Sequence, residues 1–134
     1  MAKEAHVLRH PQFLKDLVTG TAGTIAAIHV SPEGLVLGSS PGVDEDEADR
    51  WAAVMAALLA VSNRSAEIIG SRTAHPGPWG HSVIEDRSGR TLILVGANDH
   101  SMLAVVCEKN AQLGDVAARL VELADSTLVV GAAA

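Results

Sequence analysis

Six histidines, sixteen carboxylates and one cysteine are the side chains in this 134-residue sequence best equipped to bind a metal or move a proton. Catalysis needs such groups to converge from recognisable spacings. His6 and His10 stand one helical turn apart, but no third ligand follows at a useful interval. His75 and His81 flank Pro-Gly-Pro-Trp-Gly, a loop able to bring two imidazoles together, without a Cys or an acidic third ligand nearby. Asp99, His100 and Ser101 are consecutive, whereas a nucleophile, its base and the group orienting that base come from separate elements, so the triplet reads as a hairpin turn. The run Glu45, Asp46, Glu47 and Asp49 reads as the solvated start of a helix rather than a cation site. Gly20 and Gly23 precede no Gly-Lys-Ser/Thr, so a phosphate cradle is missing. No catalytic residue, cofactor or metal site is expected.

Composition narrows the partners. A net charge of −6 and a pI near 5.4 leave no wide basic face, which argues against nucleic acid. Phe13, Trp51 and Trp79 are the only aromatic residues, too few for base-stacking platforms. Cys107, inside MLAVVC, reads as a small core residue and requires no oxidising compartment. The first twenty residues hold no unbroken apolar h-region, and no run approaches the ~20 apolar residues that span a bilayer. These features predict a cytoplasmic protein without membrane insertion.

The elements that position these residues are readable from period and punctuation. Pro11 at a helix start and Phe13, Leu14, Leu17 and Val18 at helical spacing predict a first helix over 11–19. TIAAIHV and LVLG, separated by the turn Ser31 to Gly34, predict a hairpin. Asp44, with Glu47 three residues on, opens a second helix. That helix contains Trp51 to Val61, eleven residues without a polar side chain. A helix apolar around its whole circumference must be covered on more than one side, and this run is too short to cross a membrane. The Pro/Gly-punctuated loop SRTAHPGP, residues 71–78, separates it from a three-stranded meander of WGHSVIE, TLILVG and SMLAVVCE. Those strands are apolar on both alternating faces, so helices must lie above and below the sheet. An amphipathic helix over 112–124 closes the pattern, and TLVVGAAA either extends it or packs against it. Residues 1–10 read as an extension, 11–128 as one α/β (α+β) domain and 129–134 as a tail.

The order of these elements resembles the Roadblock/dynein light-chain family over residues 11–125. FLKDLV is similar to its first helix, IHVSPEGLVLGSS to its first hairpin, WAAVMAALLAVS to its Ala-rich second helix and LAVVCEKNAQLGDV to its passage into the last helix. Glu33 stands where the family commonly has Asp. The resemblance implies a profilin-like fold with a five-stranded antiparallel sheet in the order 2-1-5-4-3. It also implies a homodimer formed by second helices side by side and third strands joined across the sheet edge. Its interface would then use Trp51, Val54, Met55, Leu58, Leu59, Trp79 and Val83. Bacterial members resemble MglB, which regulates a Ras-like GTPase, and some are encoded beside a sensor histidine kinase and a small GTPase. By that resemblance this chain is a non-enzymatic adaptor. Ala52, Ala53, Ala56, Ala57 and Ala60, which project little beyond the backbone, would either form the platform for the GTPase or only let the helix sit tightly on its own sheet. The competing reading is a profilin-like or PAS-like ligand-sensing module, with His29 and the His75–His81 loop as its polar candidates.

Overall fold

A computed structural model describes residues 11–97 and 99–132. The expected extension at 1–10, with His6 and His10, lies outside the described residues. The order of elements is α1 (Pro11–Gly20), β1 (Thr24–Val30), β2 (Val36–Ser39), α2 (Glu45–Thr73), β3 (His81–Glu85), β4 (Thr91–Gly96), β5 (Met102–Cys107) and α3 (Leu113–Ala132). The strands form one antiparallel sheet in the order β2-β1-β5-β4-β3, the profilin-like arrangement that the family resemblance implied.

Both faces of the sheet are covered, as the two-sided apolar strands required. On one face Leu14 and Leu17 of α1 and Val116 and Leu120 of α3 pack against Ile93 and Leu103. On the other, Ala48, Ala52 and Met55 of α2 pack against Ile28, Leu94 and Met102. The two layers meet their turns tightly. Gly23, at φ 87°, accepts a 2.7 Å hydrogen bond from the Glu108 amide. A Cβ at Gly23 would lie 2.6 Å from that of Ala111, so this crossing of two turns admits only glycine.

Two helices run further than their sequence patterns suggested. The Asp44 carboxylate caps α2 by accepting a 2.8 Å hydrogen bond from the Glu47 amide, as the spacing implied. The helix then continues through Ser71-Arg72-Thr73, residues expected in the loop, and stops only where Ala74 takes a left-handed conformation. α3 likewise continues to Ala132, so TLVVGAAA extends the helix at least to that residue.

Candidate interaction surface

The 29 residues of α2 would span about 43 Å at 1.5 Å per residue, whereas five strands spaced at ~4.8 Å cover about 19 Å between edges. The helix therefore outruns the sheet. Its first half is anchored through Ala48, Ala52 and Met55, and its second half contributes only Ser62 and Gly70 to the interior. A short polar lock fastens that second half to the β3 edge. The Trp79 indole donates a 2.8 Å hydrogen bond to the Ser82 hydroxyl, which in turn sits 2.7 Å from that of Ser62. Gly96 leaves the Trp79 ring room to lie against the sheet, since a Cβ there would meet it at 3.0 Å.

At 3.6 residues per turn, α2 divides into three faces. The sheet-facing stripe holds Ala52 and Met55, both fully covered by the protomer's own strands. Met55, expected at the dimer interface, and Ala52, expected on the outward platform, are thus buried against this chain's own sheet. The second face carries Trp51, Val54, Leu58, Val61, Ile68 and Ile69, of which Val54, Val61, Ile68 and Ile69 are 59–65% exposed. The third face carries the exposed Ala53, Ala57 and Ala60. Ala56, at the boundary, is half-buried beneath the β1–β2 turn, where a Cβ on Gly34 would come within 3.3 Å of it. Leu59 and Trp79 are half-buried on the protomer itself and line a cleft of about 530 Å³ with Pro32, Asn63 and His100.

Next to the bulky face lies the open edge of the sheet. β3 pairs with β4 alone among the described strands, and its Val83 and Ile84 are 46% and 48% exposed although successive side chains point to opposite faces. An apolar groove of about 550 Å³ runs along the start of α2, lined by Ile25, Trp51, Val54, Met55, Leu92 and Val106, with Glu47 and Arg50 at its rim. Sequence reading missed Val61, Ile68, Ile69 and Ile84. For Val61 and Ile68 the signal was a seven-residue spacing that continues through the polar stretch after Val61.

By length and composition α2 would also pass for a membrane span, its most apolar 18 residues reaching a mean hydropathy of 1.4. That differs from the expectation, because the helix carries its apolar character past Ser62-Asn63-Arg64 to Ile68 and Ile69. Only 17% of that window is buried within the protomer.

The side chains singled out for chemistry assemble differently. Pairing of β1 with β5 brings His29 to Ser101, Nε2 to Oγ at 2.8 Å, and Ser101 donates its hydroxyl proton to Asp99. Ser101 therefore accepts from the imidazole. The serine gives its proton to the carboxylate and not to the imidazole, which is not the order of a nucleophile–base–orienter relay, and both Ser101 and His29 are buried. The group pins the β4–β5 turn, where His100 takes a left-handed conformation at φ 70°. His75 and His81 do line one cleft, of about 260 Å³, and among the described residues no group of three metal-ligating side chains occurs. Burial pushes the Cys107 thiol up from its usual range, which keeps it protonated and inert. In the β3–β4 turn the Ser88 hydroxyl holds the Asp86 carboxyl below the usual range, and backbone hydrogen bonds from Arg90 and Ser88 add to it.

A family model for the Roadblock/LC7 domain matches residues 12–107. The chain belongs to the Roadblock/LC7 family. The Roadblock/LC7 domain from Streptomyces avermitilis superposes with a TM-score of 0.77 at 25% identity, covering 90% of this chain and 95% of that one. Myxococcus xanthus MglB gives 0.76 at 16% identity, covering 93% and 90%. Acanthamoeba castellanii profilin IA gives 0.51 at 20% identity over 92% and 98%, a likeness of fold alone. No curated protein sequence matches. At 16% identity the likeness to MglB is one of fold.

Proposed function

We propose that this Roadblock protein is a cytoplasmic, non-enzymatic homodimer that binds a small Ras-like GTPase and modulates its activity or location. The observation that carries the reading is the division of α2. Its bulky apolar face continues onto an unpaired strand edge, and a patch of that kind marks an interaction site. Closed dimers arise when one such self-complementary surface meets its own copy. A second copy there leaves the alanine face, with Ala53, Ala57 and Ala60, free for a different partner. The resemblance to the Roadblock family supports a GTPase as that partner and a sensor histidine kinase as a candidate further associate.

Direct arginine-finger chemistry has weak support from the side chains. Arg90 is held by Glu108 at 3.0 Å and by the Ser88 hydroxyl, and Arg64 pairs with Glu67. Repositioning of the GTPase's own catalytic groups suits this surface better. A ligand-sensing role finds its support in the cleft beside Trp79, where Asn63 and His100 supply polar groups.

Sedimentation at micromolar concentration should give a dimer, and titration with GTP and Mg²⁺ should give no heat. Capture of a Ras-like GTPase encoded beside the gene tests the docking face. Ala60→Arg and Ala57→Arg should stay dimeric and lose capture, whereas undiminished capture by both would refute the alanine platform.

A further inference from the structure

The cleft of about 530 Å³ beside Trp79 is assembled from four separate parts of the chain. α2 supplies Leu59 and Asn63, the β1–β2 turn Pro32, the loop before β3 Pro78 and Trp79, and the β4–β5 turn His100. Its apolar walls are an indole, two prolines and a leucine, and its polar groups are a carboxamide and an imidazole. Among the described residues neither the Asn63 nor the His100 side chain makes a hydrogen bond, and no Lys, Arg, Asp or Glu lines the cleft.

The groups around the cleft are held in place. The indole is fixed by its hydrogen bond to Ser82 and lies over Gly96, which has no Cβ to displace it. The β4–β5 turn is tied down through Ser101, whose amide donates to Asp99 at 3.0 Å and whose hydroxyl stands 2.8 Å from the His29 imidazole. On that turn His100 keeps a φ of 70°, where glycine would be unstrained. An imidazole retained in a left-handed conformation at the rim of a cleft points to a use for its side chain.

We infer that this cleft binds a small, uncharged, flat heteroaromatic molecule of the purine-base class, laid against the Trp79 indole and read along its edge by Asn63 and His100. This goes beyond the ligand-sensing role proposed above, on which it rests, by naming the chemistry of the ligand. A concave site with apolar walls and a few convergent polar groups is the usual form of a small-molecule pocket, and the volume is in the usual range. A ring buries its faces against the indole, Leu59 and the prolines. A carboxamide pairs with an adjacent donor and acceptor on such a ring, a match that a plain hydrocarbon lacks. With no cationic side chain on the walls and a net charge of −6 on the chain, a phosphate finds no counter-charge there. The ring therefore enters as a base or nucleoside and not as a nucleotide.

Titration of the full chain with adenine, followed by the indole and side-chain amide resonances in nitrogen-15 NMR, tests this. Trp51 and Trp79 are the only indoles, and Trp79→Phe identifies the signal of the second. Adenine should shift the Trp79 and Asn63 signals saturably and leave that of Trp51 unmoved. Adenosine 5′-monophosphate should bind more weakly than adenine. Asn63→Ala, an exposed position that the fold does not need, should weaken adenine binding by about tenfold, the loss of its paired hydrogen bonds. His100→Gly should weaken it several-fold without lowering the unfolding temperature, which separates a role in binding from one in the turn. Undiminished binding by both variants, or tighter binding of the monophosphate, would overturn the assignment. If benzene shifts the same two signals and adenine does not, the ligand class falls while the sensing cleft stands. If neither probe shifts them, the ligand class and the ligand-sensing role fall together.

Discussion

The two faces of the sheet are built to different degrees of completion. On the α1/α3 face Leu14, Ile93, Leu103, Val105 and Leu120 are buried within one protomer, as in an ordinary core. On the α2 face a single helix covers the sheet with Ala48, Ala52 and Met55, Trp51, Leu58 and Leu59 are only partly buried against them, and Val54, Val61, Ile68 and Ile69 stay largely exposed. The first face explains why the chain folds. The second explains why it is expected to be found with a partner, since exposed valines and isoleucines on a well-formed helix gain nothing from water.

Substitutions that affect one face and spare the other sharpen this contrast. The largest effect on folding belongs to the completed face. Leu120→Ala, at a fully buried position of α3, should cost ~2–5 kcal/mol in urea unfolding and leave the association of surviving folded chains unchanged. On the unfinished face Leu58→Arg should do the opposite. It should raise the dimer dissociation constant by roughly two orders of magnitude, ~3 kcal/mol, while far-UV circular dichroism at high dilution stays that of the wild type. A variant that loses its helical signal along with the dimer would show that the α2 face is a core after all.

A smaller effect lies at the anchored end of α2. Asp44→Ala removes the acceptor of the Glu47 amide and should cost ~0.5–2 kcal/mol. In the β3–β4 turn the carboxyl of Asp86 is held below its usual range, so its stabilisation is present above the unfolded value of about 3.8 and lost as pH falls through that region. Asp86→Asn should flatten the acid limb of the stability curve, and an unchanged limb would mean the turn contributes nothing.

Most of the fold was legible because short apolar runs, the turn residues between them and the Asp44 cap act locally. The faces of α2 were not. A run such as Trp51 to Val61, apolar all round, carries no moment to orient it, so Met55 and Ala52 could not be told from Val54 and Ala53. The apolar face beyond Val61 was hidden by Ser62, Asn63, Arg64 and Ser65, polar residues that looked like a helix end. His29 and Ser101 are 72 residues apart, and only strand pairing joins them.

The smallest expected effect tests whether the overhanging end of α2 belongs to the protomer or to the pair. Ala74 closes the helix at φ 59°, its amide donating a 3.0 Å hydrogen bond to Gly70. A left-handed alanine is strained by its Cβ, and glycine is not. The chain then folds back so closely that a Cβ on Gly70 would lie 2.9 Å from the Pro76 backbone, which fixes the cap in place. Ala74→Gly relieves the strain at the cost of a more flexible unfolded chain and should stabilise by ~0.5–1 kcal/mol. If the end of α2 is held by its own protomer, that gain appears at every protein concentration. If it is ordered only against a second copy, the gain appears where the dimer is populated and vanishes on dilution. Thermal unfolding of both forms across a thousandfold range of concentration, about the span over which such linkage is readable, separates the two. Equal gain throughout would place the whole helix in the monomer fold and leave only its side chains to the partner.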